Sequence, residues 1–328
     1  MPLLLTEADV KSILTVPMAI ELVERSFRLL ADGSATLHPR QRIHIPKKAY
    51  MHYMAAAADG YMGQKMYTIS QNGGRFLVTL FKDTGEMAAL IEADYLGQAR
   101  TGAASGVATR FMARADARTA GIIGTGLQAR TQMEAIANVR KLERIRAFGR
   151  DQQRREKFAA EMTNRLGLPV EPVGSPEEAV RDADIIVTST NAVKPVVEGG
   201  WLQPGMHINA IGSNFAHKSE LDAEAVGRCD VIAADSIEQS KTEAGDLIQA
   251  FADDASRWSK VHELADVVAG KVSGRSDQRQ ITMFKSNGVA TEDIVVAGRI
   301  YELARERKMG REVPMWEEKA RSVENRGV

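Results

Sequence analysis

The chain has 328 residues, 44% of them hydrophobic, and its 43 Lys plus Arg balance 43 Asp plus Glu. A formal net charge of zero gives no global basic field for nucleic acid or an anionic membrane. One cysteine, Cys229, leaves no intramolecular disulfide and no Cys-based zinc site, and no metal is expected. The start, Met1 to Val10, lacks the basic flank and long apolar core of a signal peptide. No apolar run approaches the roughly 20 residues that span a bilayer, so the expectation is a soluble, cytoplasmic protein.

In chain order, Thr6 is placed to N-cap a short helix with Asp9 at its third position. Val16-Pro17 starts a second helix that runs to about Ala31. Its apolar residues Ile20, Val23, Phe27 and Leu30 recur at spacings of three and four. From Arg40 to Glu92, β-like runs (41–45, 51–57, 63–69, 76–81, 87–92) alternate with turns such as Asn72-Gly73-Gly74 and Asp83-Thr84-Gly85. This predicts an antiparallel meander. A helix rich in small residues follows, from Tyr95 to Met112.

At Thr119 strands and helices begin to alternate. Strands are expected at 119–124, 144–149, 170–173, 184–190, 207–212 and 231–234, with helices at 127–139 and 152–166 and a short one from Pro176. Such alternation predicts a parallel sheet covered on both faces. A last long helix, Glu292 to about Arg307, is expected to pack back on the first half. The fold class is therefore α/β. Residues 118–292 are expected to form one domain, and 1–117 with 293–328 a discontinuous α+β domain.

The strongest motif is Gly124-Thr125-Gly126-Leu127-Gln128-Ala129, a G-x-G-x-x-A that follows an apolar strand and opens a helix. That context is what a Rossmann dinucleotide site requires. Gly124 permits the tight turn, Gly126 lets a pyrophosphate approach the backbone, and Ala129 lets the helix pack closely. Unpaired N–H groups at the helix N-terminus then face the phosphates. At the end of the second strand, Gly149 is followed by Arg150 and Asp151. An Arg here suits the 2′-phosphate of NADP(H), whereas Asp151 would suit the ribose of NAD(H) or cap the next helix. NADP(H) is favoured, with NAD(H) kept as the alternative. Thr188, Ser189 and Thr190 end one strand and Gly212 and Ser213 another, where such strands face the ligand crevice.

Several segments occur together: Gly63-Gln64-Lys65, Asp83-Thr84-Gly85, Gly97 to Ser105 with Arg100-Thr101-Gly102-Ala103-Ala104, and Ala210-Ile211-Gly212-Ser213-Asn214. With Glu220-Leu221-Asp222 they resemble the ornithine cyclodeaminase/mu-crystallin family over nearly the whole chain. The resemblance implies a homodimer joined through the β-rich domain, which would also bind substrate. It implies that Arg42, Lys65 and Arg100 grip an α-carboxylate, with Lys65 also able to move a proton. It places Ser286-Asn287-Gly288 near the nicotinamide. Where the family's cyclodeaminases carry a catalytic Asp, this chain has Asn214, whose amide does not titrate. Where they carry a Glu in the meander, it has His52 or Tyr53. The expected activity is accordingly an NAD(P)H-dependent imine (ketimine) reductase or amino-acid dehydrogenase acting on a small imino or amino acid such as pyrroline-2-carboxylate. Catalytic residues would be Lys65, Arg100 and Asn214, and substrate contacts Arg42, His52, Lys65 and Arg100. Ornithine cyclodeamination with tightly bound NAD, or NADPH-dependent ligand binding of the mu-crystallin type, are the alternatives.

Overall fold

The computed structural model describes residues 1–316; the last part of the expected C-terminal segment, 317–328, lies outside the described residues. Helices α1 (Glu7–Ile13) and α2 (Val16–Ala31) begin as the sequence suggests. Thr6 and Asp9 form a reciprocal capping box, and Thr15 caps α2. The α2 stripe of Ile20, Val23 and Phe27 is buried.

The first sheet contains β1 (Leu3–Leu5), β2 (Thr36–Ile45), β3 (Ala49–Ala58), β4 (Tyr61–Ser70), β5 (Gly73–Lys82), β6 (Met87–Glu92) and, near the other end of the described chain, β15 (Arg311–Glu312). Its order is β15-β1-β6-β5-β4-β3-β2, with β2 to β6 an antiparallel meander. Strands β2 to β5 exceed their expected lengths because the hairpin turns keep pairing up to the bend, while β6 has the expected bounds. Asp59-Gly60 joins β3 to β4 in two residues, both at positive φ (57° and 79°), the turn geometry that matches strand twist. Cross-strand register sets Arg42, His52, Tyr67 and Phe76 in one row, and Met54, Lys65 and Val78 in the next on the same face. An irregularity between His38 and Gln41 puts Arg40 at a bulge.

The second sheet holds β7 (Thr119–Ile123), β8 (Arg144–Phe148), β9 (Val170–Pro172), β10 (Ile185–Thr188), β11 (His207–Ala210), β12 (Val231–Ala234), β13 (Val261–Glu263) and β14 (Thr282–Lys285). All pairs are parallel, in the order β13-β12-β14-β11-β10-β7-β8-β9. The chain switches direction between β7 and β10, the place where α/β sheets open a crevice. Strands β10 and β11 each stop two residues before their expected ends, and those residues become crevice loops.

Helix α3 (Asp94–Met112) lies between the sheets and is buried nearly all round. Its small residues serve that contact: a Cβ on Gly102 would run into the Thr131 backbone. Thr131 belongs to α4 (Leu127–Val139), which is followed by α5 (Gln152–Leu166) and α6 (Pro176–Val180). Four short helices come next: α7 (Ala223–Gly227), α8 (Ile237–Glu243), α9 (Gly245–Ala250) and α10 (Leu264–Val268). Then α11 (Ala290–Glu306) leaves the second sheet and packs on α2, β3 and β4, two residues longer at its start than expected. Among the described residues no helix is long and apolar enough to cross a membrane.

Candidate active site

A cavity of about 1600 Å³ runs between the two sheets. That exceeds the roughly 300–1,000 Å³ of a pocket for one drug-sized ligand, so it has room for a dinucleotide and a small acid together. One end is built by the glycine turn. Gly124 has φ 109°, and a Cβ there would overlap the Ser189 carbonyl. Gly126 differs: its Cβ would point into open space, the hollow a phosphate would otherwise fill. Gly126 is also the N-cap of α4 and supplies no capping side chain. The first N–H groups of α4 therefore lack an internal partner. Thr125, Leu127 and Gln128 line the same wall, and Gln128 Oε1 is buried without a hydrogen bond.

Gly149 packs against Thr125 Oγ1 with no room for a side chain, and Arg150, Asp151 and Arg154 continue the wall. Asp151 caps α5 by accepting from the Arg154 N–H at 2.9 Å. Arg155 turns back to the Gly149 carbonyl and stacks on Phe148. Arg150 and Arg154 have no acidic partner among the described residues.

Ser189, Thr190, Gly212 and Ser286 line the crevice, as expected. Thr188 and Ser213 do not. Thr188 is buried and donates to Glu220 at 2.7 Å. Ser213 is buried with its hydroxyl on the Phe215 and Lys218 carbonyls. Both fall on the inward side of the strand ends, so they shape the crevice from below. Glu220 also accepts from the Thr190 and Gly212 N–H groups, each at 2.7 Å, and so ties β10 and β11 together at the switch point. Asp235 does the same for the 286–288 turn, accepting from Ser286 Oγ and the Asn287 and Gly288 N–H groups.

Across the cavity stands a cationic wall. Lys65 Nζ and Arg100 Nε both donate to Asp293 Oδ1, at 2.8 and 3.1 Å, and Arg100 Nη1 donates to Glu292 at 2.7 Å. Burial, and next the Arg100 charge, push the Lys65 amine down to about 8 against the opposing pull of Asp293. Burial also opposes the charge on Arg100, but Asp293 and Glu292 outweigh it and hold the guanidinium cationic. Burial raises the Glu292 carboxyl to about 8.

The bulge in β2 brings Arg40, which no motif flagged, onto this wall beside Lys65. Arg40 donates to Glu243 at 2.6 Å and to the Asn287 and Gly288 carbonyls. The expected Arg42 is not on the wall. Its guanidinium is taken up by Glu243 at 2.6 Å, the Asn214 carbonyl at 2.5 Å and His52 Nδ1 at 3.2 Å, and it lies over Phe215. His52 is likewise not on the wall. Its Nδ1 accepts from Arg42, its ring stacks on Tyr67 at 4.5 Å, and burial followed by the Arg42 charge pushes it down to about 4. With Nδ1 occupied, the stacked imidazole has Nε2 left, and that atom is buried without a partner among the described residues. Tyr67 and Phe76 present the aromatic side of the pocket, and Asn214 lines it with a side-chain amide that has no protein partner among the described residues. Asp293, Glu292 and Arg40 escaped sequence reading because none belongs to a local motif. The only signal was a pair of acids in the first turns of a long apolar helix.

A parallel sheet with an uncapped glycine turn at its switch point, facing buried cations across one cavity, defines a Rossmann-type dinucleotide-binding protein with a cation-lined pocket. The chain belongs to the ornithine cyclodeaminase/mu-crystallin family, whose model matches residues 1–308. It is 40% identical over 230 residues to the Delta(1)-pyrroline-2-carboxylate reductase of Bacillus cereus, covering 70% of each chain. The solved Delta(1)-pyrroline-2-carboxylate reductase of Thermococcus litoralis, in complex with NADH and L-proline, superposes with TM-score 0.91 at 36% identity, over 95% of this chain and 100% of that one. An archaeal alanine dehydrogenase dimer with bound NAD gives TM-score 0.91 at 32% identity, over 96% and 99%.

Proposed function

We propose that this chain is an NAD(P)H-dependent reductase of small imino acids, of the pyrroline-2-carboxylate class, able to run in reverse as an amino-acid dehydrogenase. The observation that carries the reading is Lys65, Arg100 and Arg40 on one wall, opposite the phosphate-binding turn. Gly124 to Gln128, Ser189, Thr190, Gly212 and Ser286 would hold a nicotinamide dinucleotide. When bound, it supplies the hydride that reduces the substrate's α-carbon. Arg100 and Arg40 would take the carboxylate, where two charged donors fix both position and plane. Lys65, protonated below about pH 8, would give its proton to the imine nitrogen and recover one from water. The gain of a proton at nitrogen and a hydride at carbon completes the amine. Tyr67 and Phe76 would border the substrate's side chain. Arg150 and Arg154 favour NADP(H) over NAD(H).

Asn214 counts against ornithine cyclodeamination, because an amide cannot accept the proton of a second amine. We also place the protein in the cytoplasm as a homodimer. Among the described residues, α11 packs on the Lys65 face of the first sheet, where Gly63 meets Ile294. Its other face presents Ile43, Tyr53, Met62, Met66 and Leu77, none of them fully buried.

The test is oxidation of NADPH and of NADH with pyrroline-2-carboxylate, piperideine-2-carboxylate, or pyruvate plus ammonia. Steady turnover with at least one is expected. No oxidation with any of them, or proline and ammonia formed from ornithine without net cofactor use, would overturn the reading.

A further inference from the structure

Two cations of the cavity wall share one acceptor behind it. Asp293 is fully buried, does not line the cavity, and offers Oδ1 to both Lys65 and Arg100 while its Oδ2 has no partner. It stands in the early turns of α11, whose N-cap Val289 brings no side-chain cap. The positive end of that helix helps to hold a carboxylate there.

We propose that Asp293 is the positioning residue of this site: through a single carboxylate oxygen it keeps Lys65 charged and aims both Lys65 and Arg100 into the cavity. Its sequence neighbour Glu292 bonds to Arg100 alone. The groups facing Lys65 leave Asp293 this task. Arg100 comes from α3 and Arg40 from β2, and both are like-charged. The cross-strand neighbours Met54 and Val78 are apolar. Asp293 is the largest anionic influence on the amine. With an amide in its place, burial and two guanidiniums would act unopposed on an amine already lowered to about 8. Lys65 would then lose much of its charge at neutral pH. A neutral amine neither attracts a carboxylate nor has a proton to give an imine. That consequence for turnover rests on the function proposed above; the effect on Lys65 itself does not.

The experiment measures Lys65 without relying on activity. The holoprotein is labelled with acetic anhydride across a pH series, and the extent at Lys65 is read by peptide mass spectrometry in wild type, Asp293→Asn, Asp293→Ser and Asp293→Glu. The Ser variant leaves room for a water, so a misfolded amide does not decide the result. The wild-type midpoint is expected near 8. It should fall by about one pH unit or more in the Asn and Ser variants and return toward wild type in the Glu variant. The alkaline limb of kcat/KM with pyrroline-2-carboxylate should move by the same amount, while NADH affinity stays within about twofold, since the phosphate turn is untouched. A folded Asn or Ser variant in which Lys65 labels at the wild-type midpoint would overturn the proposal. If no imino acid is turned over, the labelling still decides the role of Asp293, and only the enzymatic reading fails.

Discussion

Gly97 lies directly under the amine of Lys65: a Cβ built on Gly97 would sit 2.9 Å from Lys65 Nζ. The glycine is inside α3, where Ala is intrinsically favoured by about 0.8–1.0 kcal/mol. Gly97→Ala therefore sets helix propensity against the site. The amine is the far end of a flexible side chain, so it shifts within its bond to Asp293 and the helix stays in place. We expect the melting temperature to hold or rise while kcat/KM falls by about tenfold or more, equivalent to about 1.4 kcal/mol of transition-state stabilisation. Calorimetry and steady-state kinetics on one preparation check both halves, and full activity would remove Lys65 from the mechanism.

The two glycines of the phosphate turn should fail in different ways. A methyl group on Gly126 meets nothing in the protein, so Gly126→Ala should fold normally and lose dinucleotide affinity by about tenfold or more, because the hollow is filled. Gly124 combines φ 109° with a clash against the Ser189 backbone. Gly124→Ala should lose about 1–3 kcal/mol of stability. Thermal melts and titration calorimetry with NADH separate these outcomes.

Arg150 is exposed on the cavity rim and carries no acidic partner among the described residues. Its guanidinium is free to meet a 2′-phosphate in a charge-assisted contact of about 1.5–3 kcal/mol, less what solvent screens. Arg150→Ala should raise KM for NADPH by about tenfold and leave NADH within about twofold. Equal loss with both cofactors would show that Arg150 does not read the 2′ position, and Arg154 would be examined next.

Buried Glu292 gives a pH signature of its own. Burial, the largest influence, raises its carboxyl from 4.5 to about 8. Between those values the folded chain binds a proton that the unfolded chain has released. This group's stabilising contribution is full below about 4.5 and lost as pH climbs through about 8. Glu292→Gln removes the titration while keeping the shape of the neutral acid. Wild type should thus lose stability relative to the Gln variant as pH rises from 5 to 8. Parallel melting curves that do not change their separation would refute this assignment.

The open face of the first sheet makes a fifth test. Tyr53, Met66 and Leu77 form one cross-strand row there. Met66→Lys places a charge in its middle without touching the Lys65 face. Sedimentation should show a dimer for wild type and a monomer for the variant. A dimer that survives the lysine places the interface elsewhere.

Much of this molecule could be read from its residues alone. The alternation after Thr119 is local and periodic, so the strands at 119, 144 and 231 and the glycine turn were visible. Lys65 and Arg100 stood inside recognisable segments. Strands β13 and β14 were not visible: each is only three or four residues long, and β14 ends in Lys285, which is buried only because Asp246 meets it at 2.8 Å. Arg40 and Arg42 share the same alternation along β2, so sequence could not tell which one a bulge would turn toward Lys65. Asp293 belongs to the site only through a contact spanning 228 positions from Lys65, a relationship that exists in three dimensions and in no window of sequence.

Arg40 joins strand β2 of one sheet to Glu243 of α8 and to the 286–288 turn of the other half, and the ion pair is nearly sealed from solvent (side chains 2% and 3% exposed). Parting the halves here would break the ion pair and both carbonyl contacts together. The cleft is therefore bolted at its back. Cofactor and substrate must come and go through its mouth, past Leu127 and Val193, whose outward-facing side chains are 63% and 58% exposed.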